Sequence, residues 1–336
     1  MIILESVSVV ALVLITLWIV LWSLCRVYKA VKLNMWYRSG HTYDNVEHVP
    51  AHLSCGYNPE HQAEGKAYLK QCKIVVCGLL RDKAERIRDG RVKQLVHRIV
   101  DQFGTYKVLI VENDSTDGTR DLLLEWSKED PNIKILGCGG VNLPVCELKL
   151  MKTTAHSTYA PRIQKMVNLR NVYMDALSED PDVQDADFVA VIDLDLHVGL
   201  FLEGLWDMGY HFKHHPDWSA ICANGLEVRP GVLSDRLRYM DTYALRTEEV
   251  WNYRKRALDD LSALHWPLRC QVSAQKVVSG FSGLTFYRFK EMKDLKYSMI
   301  MDGYNESVCE HISLCLQLRT VMILPSLMMI ILNNDL

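Results

Sequence analysis

Asp187-Phe-Val-Ala-Val-Ile-Asp193-Leu-Asp195 decides the reading of this chain. Phe188 to Ile192 is a short, continuous apolar run, the pattern of a strand buried on both faces of a parallel sheet. Two carboxylates, one residue apart, then stand at its carboxyl end. Open α/β sheets bind their ligands at that edge, and paired carboxylates there offer hard oxygen ligands to Mg²⁺ or Mn²⁺. Asp-x-Asp alone is a common strand-end turn. Its weight here comes from its company, a polar loop at Glu112–Thr119 upstream and Cys309-Glu310-His311 downstream.

Working outward, Lys73-Ile-Val-Val-Cys77, Lys107-Val-Leu-Ile-Val111 and Ile133-Lys-Ile-Leu136 read as three further strands. Between the first two, Ile87, Leu95, Val96, Ile99, Val100 and Phe103 recur at helical period on one face. The loop Glu112-Asn-Asp-Ser-Thr-Asp-Gly-Thr119 is rich in capping residues and leads into a helix over Arg120–Lys128. Pro161 opens another helix at its first turn, with Ile163, Met166, Val167, Met174 and Leu177 as core positions. Alternating strands and helices predict a sheet with parallel strands, covered by helices on both faces. The second half is less regular. Ser219–Ala223 and Gly283–Tyr287 read as strands and Asn305–Leu318 as a helix. Val321–Leu332, broken by Pro325, reads as a buried terminal strand pair.

The chain has 336 residues, 49% hydrophobic and 24% charged, enough for one large domain or two small ones. A net charge of −3 gives no reason to expect nucleic acid as a partner. The ten cysteines form no Cys-x-x-Cys pair and no zinc spacing, which leaves buried thiols and disulfides both open. Ser6 to Leu24 carries no charge and is long enough to cross a bilayer. No Lys or Arg precedes it, so it reads as an uncleaved anchor rather than a signal peptide. The expected organisation is a transmembrane anchor over 6–24, a stem with connecting loops over 25–70, and an α/β domain over 71–336. This makes a single-pass membrane protein held by its N-terminal helix. Arg26, Lys29, Lys32 and Arg38 follow the span and by charge bias put the body on the cytosolic side.

The loop Val111-Glu112-Asn-Asp-Ser-Thr-Asp117-Gly-Thr119 resembles the Asp-rich nucleotide loop of GT-A glycosyltransferases, and Leu169-Arg170-Asn171 before Asp193-Leu-Asp195 is similar to the helix that precedes their DXD motif. In order, Trp218–Gly225, Tyr239-Met-Asp241, Ser279-Gly-Phe-Ser-Gly283 and Cys309-Glu-His311 resemble a subgroup that includes fungal capsule-associated α-1,3-mannosyltransferases and related viral and bacterial enzymes. The likeness runs over about residues 73–325. It implies a Rossmann-like nucleotide-diphospho-sugar transferase fold and transfer of a sugar from a UDP- or GDP-linked donor to a glycan, glycoprotein or glycolipid, with Mn²⁺ or Mg²⁺ as cofactor. Family habit places such domains in the Golgi or ER lumen, against the charge bias, and the side stays open. The resemblance implies that Asp195 and His311 ligate the metal, that Asp193 contacts ribose or donor sugar, that Arg170 approaches the donor, and that Glu112 or Asp114 meets the base or ribose. No Glu-Asp pair marks a catalytic base, so Asp302, Glu306 and Glu310 all stand as candidates, with Asp302 and Glu310 preferred.

Two other readings compete. Haloacid-dehalogenase-type phosphatases also carry Asp-x-Asp after a buried strand, with Asp193 as nucleophile and Asp195 as acid/base. They want Thr or Val two residues after the second Asp, where His197 stands. The other is a non-catalytic domain that binds nucleotide-sugar without turnover.

Overall fold

The computed structural model describes residues 14–24, 27–28, 46–49, 57–138, 160–196, 198–229, 236–248, 273–301 and 307–332. The first half alternates: α1 (Pro59–Leu69), β1 (Lys73–Leu80), α2 (Ala84–Arg88), α3 (Arg91–Val100), β2 (Thr105–Asn113), α4 (Thr119–Glu129), β3 (Ile133–Cys138), α5 (Ala160–Glu179) and β4 (Phe188–Asp193). The second half holds β5 (Val198–Leu200), α6 (Leu202–His214), β6 (Ala220–Arg229), β7 (Arg236–Tyr239), β8 (Gln275–Val277), β9 (Leu284–Arg288), α7 (Phe289–Met292), α8 (Glu310–Cys315) and β10 (Val321–Leu332).

One mixed sheet runs in the order β3-β2-β1-β4-β9-β6-β10-β5, with β7 on β6 and β8 on β10. The first four strands are mutually parallel; β9 runs antiparallel to both β4 and β6. The strand pleat splits the core in two. Ile74, Val76, Ala190 and Ile192 enter the cluster shared with α1, α3 and α6, while Val75, Cys77, Val189 and Val191 face α5 and α8. Both faces are therefore apolar, as the continuous hydrophobic runs require.

Several expectations change. The helical run after β1 is two helices, because the chain turns at Asp89-Gly90 with Gly90 at φ +79°. The terminal strand pair is one strand, β10. Its register against β6 slips between Leu324 and Met328, which lets Pro325, lacking an N–H, sit outside the ladder. Of the expected late helix, Glu310–Cys315 is helical; Val308 N donates instead to Ile300 O at 3.1 Å, which keeps Ser307–Cys309 out of the helix, and residues 305–306 lie outside the described residues. Within 25–70, Glu47 O accepts from Leu202 N at 2.9 Å, and α1 packs on α6, so these residues join the body. Cys72, Cys77, Cys222, Cys309 and Cys315 are buried free thiols.

The membrane anchor is also corrected. Among the described residues no helix is long and apolar enough to cross a membrane. Residues 14–24 are helical with exposed apolar side chains, but at ~1.5 Å per residue that helix covers about half of a ~30 Å hydrocarbon layer. Residues 6–13, the rest of the expected span, lie outside the described residues. The single-pass assignment therefore does not hold, and nothing among the described residues shows the membrane as a partner.

Candidate functional site

The carboxyl edge of the parallel strands opens into a cavity of about 440 Å³. The β4 end is aimed into it by a buried anchor. Leu194 is fully buried in the core, and Gly78 on β1 makes room for it, since a Cβ there would lie 2.6 Å from Leu194 Cδ1. With Leu194 pinned below and Asp193 N donating to Gly283 O at 2.9 Å, Asp193 and Asp195 both line the cavity. From α5, Arg162, Lys165, Met166, Leu169 and Arg170 reach the same space at helical spacing. The Tyr173 hydroxyl donates to Tyr297 Oη at 3.0 Å, and Asn171 exchanges two bonds with the Tyr297 backbone at 3.0 and 2.9 Å, fixing that helix against the segment before α8.

Charge is unevenly partnered. Arg170, 3% exposed, donates to Glu310 Oε1 at 2.9 Å and reaches Asp193 Oδ1 at 3.4 Å. Asp193 is 30% exposed and lines the cavity. The surrounding walls push its carboxyl up to about 7; Arg170 pulls against this, and Asp195, Asp241 and Glu310 add to it. Asp241 is also pushed up to about 7 by burial, against hydrogen bonds from the Ser282 and Ala244 backbones. Burial lowers the Lys165 ammonium from its ordinary value, and Arg81 lowers it further. His311 is buried and stacked on Phe281 at 3.6 Å between centroids; among the described residues neither ring nitrogen has a hydrogen-bond partner, the Glu310 Oε1 atom lying 3.9 Å from Nε2. Burial, then Arg170, hold it well below the usual imidazole range, so it is neutral. Among the described residues the non-glycine positions at positive φ are Asp82 and Asp114, which follow β1 and β2, Asp241, which follows β7, and Ser282, which precedes β9.

Residues 88–139 carry the pattern of glycosyl transferase family 2. That stretch spans α3, β2, α4 and β3, which form one flank of the cavity's sheet edge. No curated protein matches the sequence. Among solved structures the chain is similar to the mannosyltransferase PcManGT from Pyrobaculum calidifontis, in complex with GDP-Man and Mn²⁺. Identity there is 11% and the TM-score 0.38, over 81% of this chain and 63% of that one, so this chain spans less than two thirds of it. It is similar to GalNAc-T7 with UDP, GalNAc and Mn²⁺ at 8% and 0.44, over 78% and 44%, and to a mycobacterial protein at 13% and 0.43, over 84% and 72%.

The structure brings Arg170, Asp193, Asp195, Glu310 and His311 together around one cavity. Glu112 and Asp114 are not among its lining residues. Glu112 is fully buried, accepts from Ser115 N at 2.6 Å and pairs with Arg120 Nε at 2.6 Å; Asp114 Oδ1 lies 3.4 Å from Arg120 Nη2. Both brace the loop, and it is Asn113 that lines the cavity. Arg170 is occupied by carboxylates rather than free to meet a donor. Asp302 lies outside the described residues, as does Glu306. Sequence reasoning passed over Arg162 and Lys165, although they precede Arg170 on the same helix face. It quoted Asp241 only within a motif and gave it no role.

Proposed function

We propose that this chain is a metal-dependent glycosyltransferase that moves a sugar from a UDP- or GDP-linked donor to a hydroxyl of a glycan, glycoprotein or glycolipid. One observation carries the reading: a single cavity, beside the family 2 segment, holds the Asp193/Asp195 pair together with Arg81, Arg162 and Lys165. A diphosphate held through a divalent ion needs both sets, carboxylates for the ion and cations for the remaining phosphate charge.

The residues present fit such an ion. Asp195 makes no ion pair with a described residue, and His311 offers a neutral imidazole whose nitrogens have no hydrogen-bond partner among the described residues. Among the described residues no three His, Cys, Asp or Glu side chains form a complete cage, in keeping with an ion whose shell is finished by donor phosphates. Asp195 and His311 would hold it, and when bound it neutralises charge building on the leaving diphosphate. Phe281 keeps the His311 ring in orientation by stacking. Arg170 holds Asp193 and Glu310 in place. Arg162 and Lys165 bind phosphate oxygens, and Asn113, at the end of β2, meets the nucleoside. The motif likeness to α-1,3-mannosyltransferases makes GDP-mannose the first donor to try.

Nucleotide release from a panel of UDP- and GDP-sugars, with Mn²⁺ and then with EDTA, tests the reading. EDTA-sensitive release from one donor supports it. Phosphate release from an aryl phosphate without nucleotide release favours the phosphatase, and metal-dependent nucleotide binding without turnover marks a binding-only domain.

A further inference from the structure

The carboxylates lining the cavity, Asp193, Asp195, Asp241 and Glu310, differ in what holds them. Glu310 and Asp193 share the Arg170 guanidinium, and Asp195 stands at the open end of β4. Asp241 makes no ion pair with a described residue. Its Oδ1 accepts from Ala244 N at 3.2 Å and its Oδ2 from Ser282 N at 3.1 Å, and each oxygen keeps a lone pair free.

Its backbone is held in an unfavourable state. Asp241 sits at φ +71°, a region that costs a side-chain-bearing residue energy and persists only where the surroundings over-determine it. Those surroundings are in place: Met240 N donates to Gly225 O at 2.9 Å, and Ser282 Oγ donates to Met240 O at 3.1 Å. A carboxylate held this firmly, facing a cavity and unpaired, is poised for a substrate group.

Sheet order says which group. Asn113 and Leu80 mark the β2 and β1 side of the cavity, and Asp193 and Asp195 the β4 end. Asp241 follows β7, which pairs with the same edge of β6 as β9 does, one strand position past β4 on the other side. At ~4.8 Å per strand that is about 5 Å beyond the carboxylate pair. A donor laid with its nucleoside over β1 and β2 and its diphosphate at β4 presents its sugar toward Asp241.

We propose that Asp241 is the general base of the transfer, taking the proton of the hydroxyl that attacks the donor sugar. The proposal rests on the glycosyltransferase reading. In the step, the hydroxyl proton passes to an Asp241 oxygen and the hydroxyl oxygen forms the bond to the anomeric carbon. The bond from that carbon to the diphosphate breaks, its electron pair leaving on the phosphate oxygen. Water can replace the acceptor, so nucleotide release reports the step without knowledge of the acceptor.

The experiment uses the full chain with Mn²⁺, the UDP- and GDP-sugar panel, and free UDP and GDP as binding probes. Asp241→Asn keeps the shape and tolerates positive φ; it is expected to lower nucleotide release about 100-fold or more while nucleotide affinity stays that of the wild type. Asp241→Gly also suits that backbone and opens a space, and added formate is expected to restore part of its turnover. Wild-type turnover in Asp241→Asn, loss of nucleotide affinity along with turnover, or a folded Asp241→Gly deaf to formate would each overturn the proposal. Wild-type protein that binds nucleotide but releases none overturns it while leaving the nucleotide site standing. Wild-type protein that neither binds nor releases nucleotide removes the glycosyltransferase reading itself.

Discussion

Arg170 Nε donates to Glu310 Oε1 at 2.9 Å, joining α5 to the first residue of α8 across 140 positions of chain. The same guanidinium reaches Asp193 and lies over the rings of Phe281 and Tyr297, 5.3 and 5.8 Å from their centroids. One side chain thus ties together the helix, the strand end and the late segment that build the cavity.

Removing that charge leaves two carboxylates without their counter-ion. Arg170→Met is expected to destabilise the fold by about 3–5 kcal/mol, the cost of stranding a buried charge. Arg170→Met with Glu310→Leu is expected to recover part of the loss, because no buried carboxylate then remains on the α8 side. Urea unfolding of the two variants checks this. A double variant no more stable than the single would show that the pair's charge is not what matters.

Asp195 and His311 predict a separable metal phenotype. Asp195→Asn keeps the size and loses the charged ligand, so Mn²⁺-dependent turnover is expected to vanish while the melting temperature holds. His311→Ala removes a ring that also packs on Phe281. It is expected to weaken Mn²⁺ affinity, read by titrating Mn²⁺ into the nucleotide complex. Unchanged Mn²⁺ dependence in that variant would move the assignment to Glu310.

Much of the parallel half was legible because strands buried on both faces must be written as unbroken apolar runs, as in Ile74–Cys77 and Phe188–Ile192. The other half was not. Whether Leu284–Arg288 lies between β4 and β6, and which way it runs, is decided by pairing between distant segments, which local periodicity does not encode. The same division holds for the site. Asp193 and Asp195 announce themselves by lying beside each other at a strand end. Asp241 becomes a cavity residue only after β7 folds back on β6. Glu112, polar and in the right loop, turned inward because Arg120, eight residues on at the start of α4, offers it a partner.

Close backbone approach gives a third prediction. A Cβ at Gly65 would lie 1.8 Å from the Trp206 carbonyl oxygen on α6, an atom that cannot move without moving the helix. Gly65→Ala is expected to loosen α1 from α6 and cost about 1–3 kcal/mol or more, the range of overpacking. Gly90→Ala meets nothing within 4 Å and carries only its φ of +79°, so about 1 kcal/mol is expected. Thermal melts of the two variants side by side should rank them in that order, and equal shifts would refute the packing argument.

Asp241 also predicts how stability varies with pH in chelator-treated protein. Its carboxyl stands at about 7 in the fold against an ordinary 3.8. Between those values the folded state keeps a proton that the unfolded chain has lost, so stability from this group falls as pH rises from ~4 through ~7 and is flat above. The gap sets an upper bound of about 4 kcal/mol, which water reaching a partly buried carboxyl reduces. Asp193 is shifted the same way, whereas the carboxyls of Asp89, Asp117 and Asp180 are held below their ordinary value and act oppositely at more acid pH. The wild-type profile therefore mixes signs, and the informative quantity is a difference. Asp241→Asn never ionises, and its changed hydrogen bonds add a cost that does not vary with pH. Its melting temperature relative to wild type should rise from pH 4 through about pH 7 and level off above, on top of that constant offset. A difference that stays level across the range would mean the Asp241 carboxyl is ionised in the fold from mild acid upward.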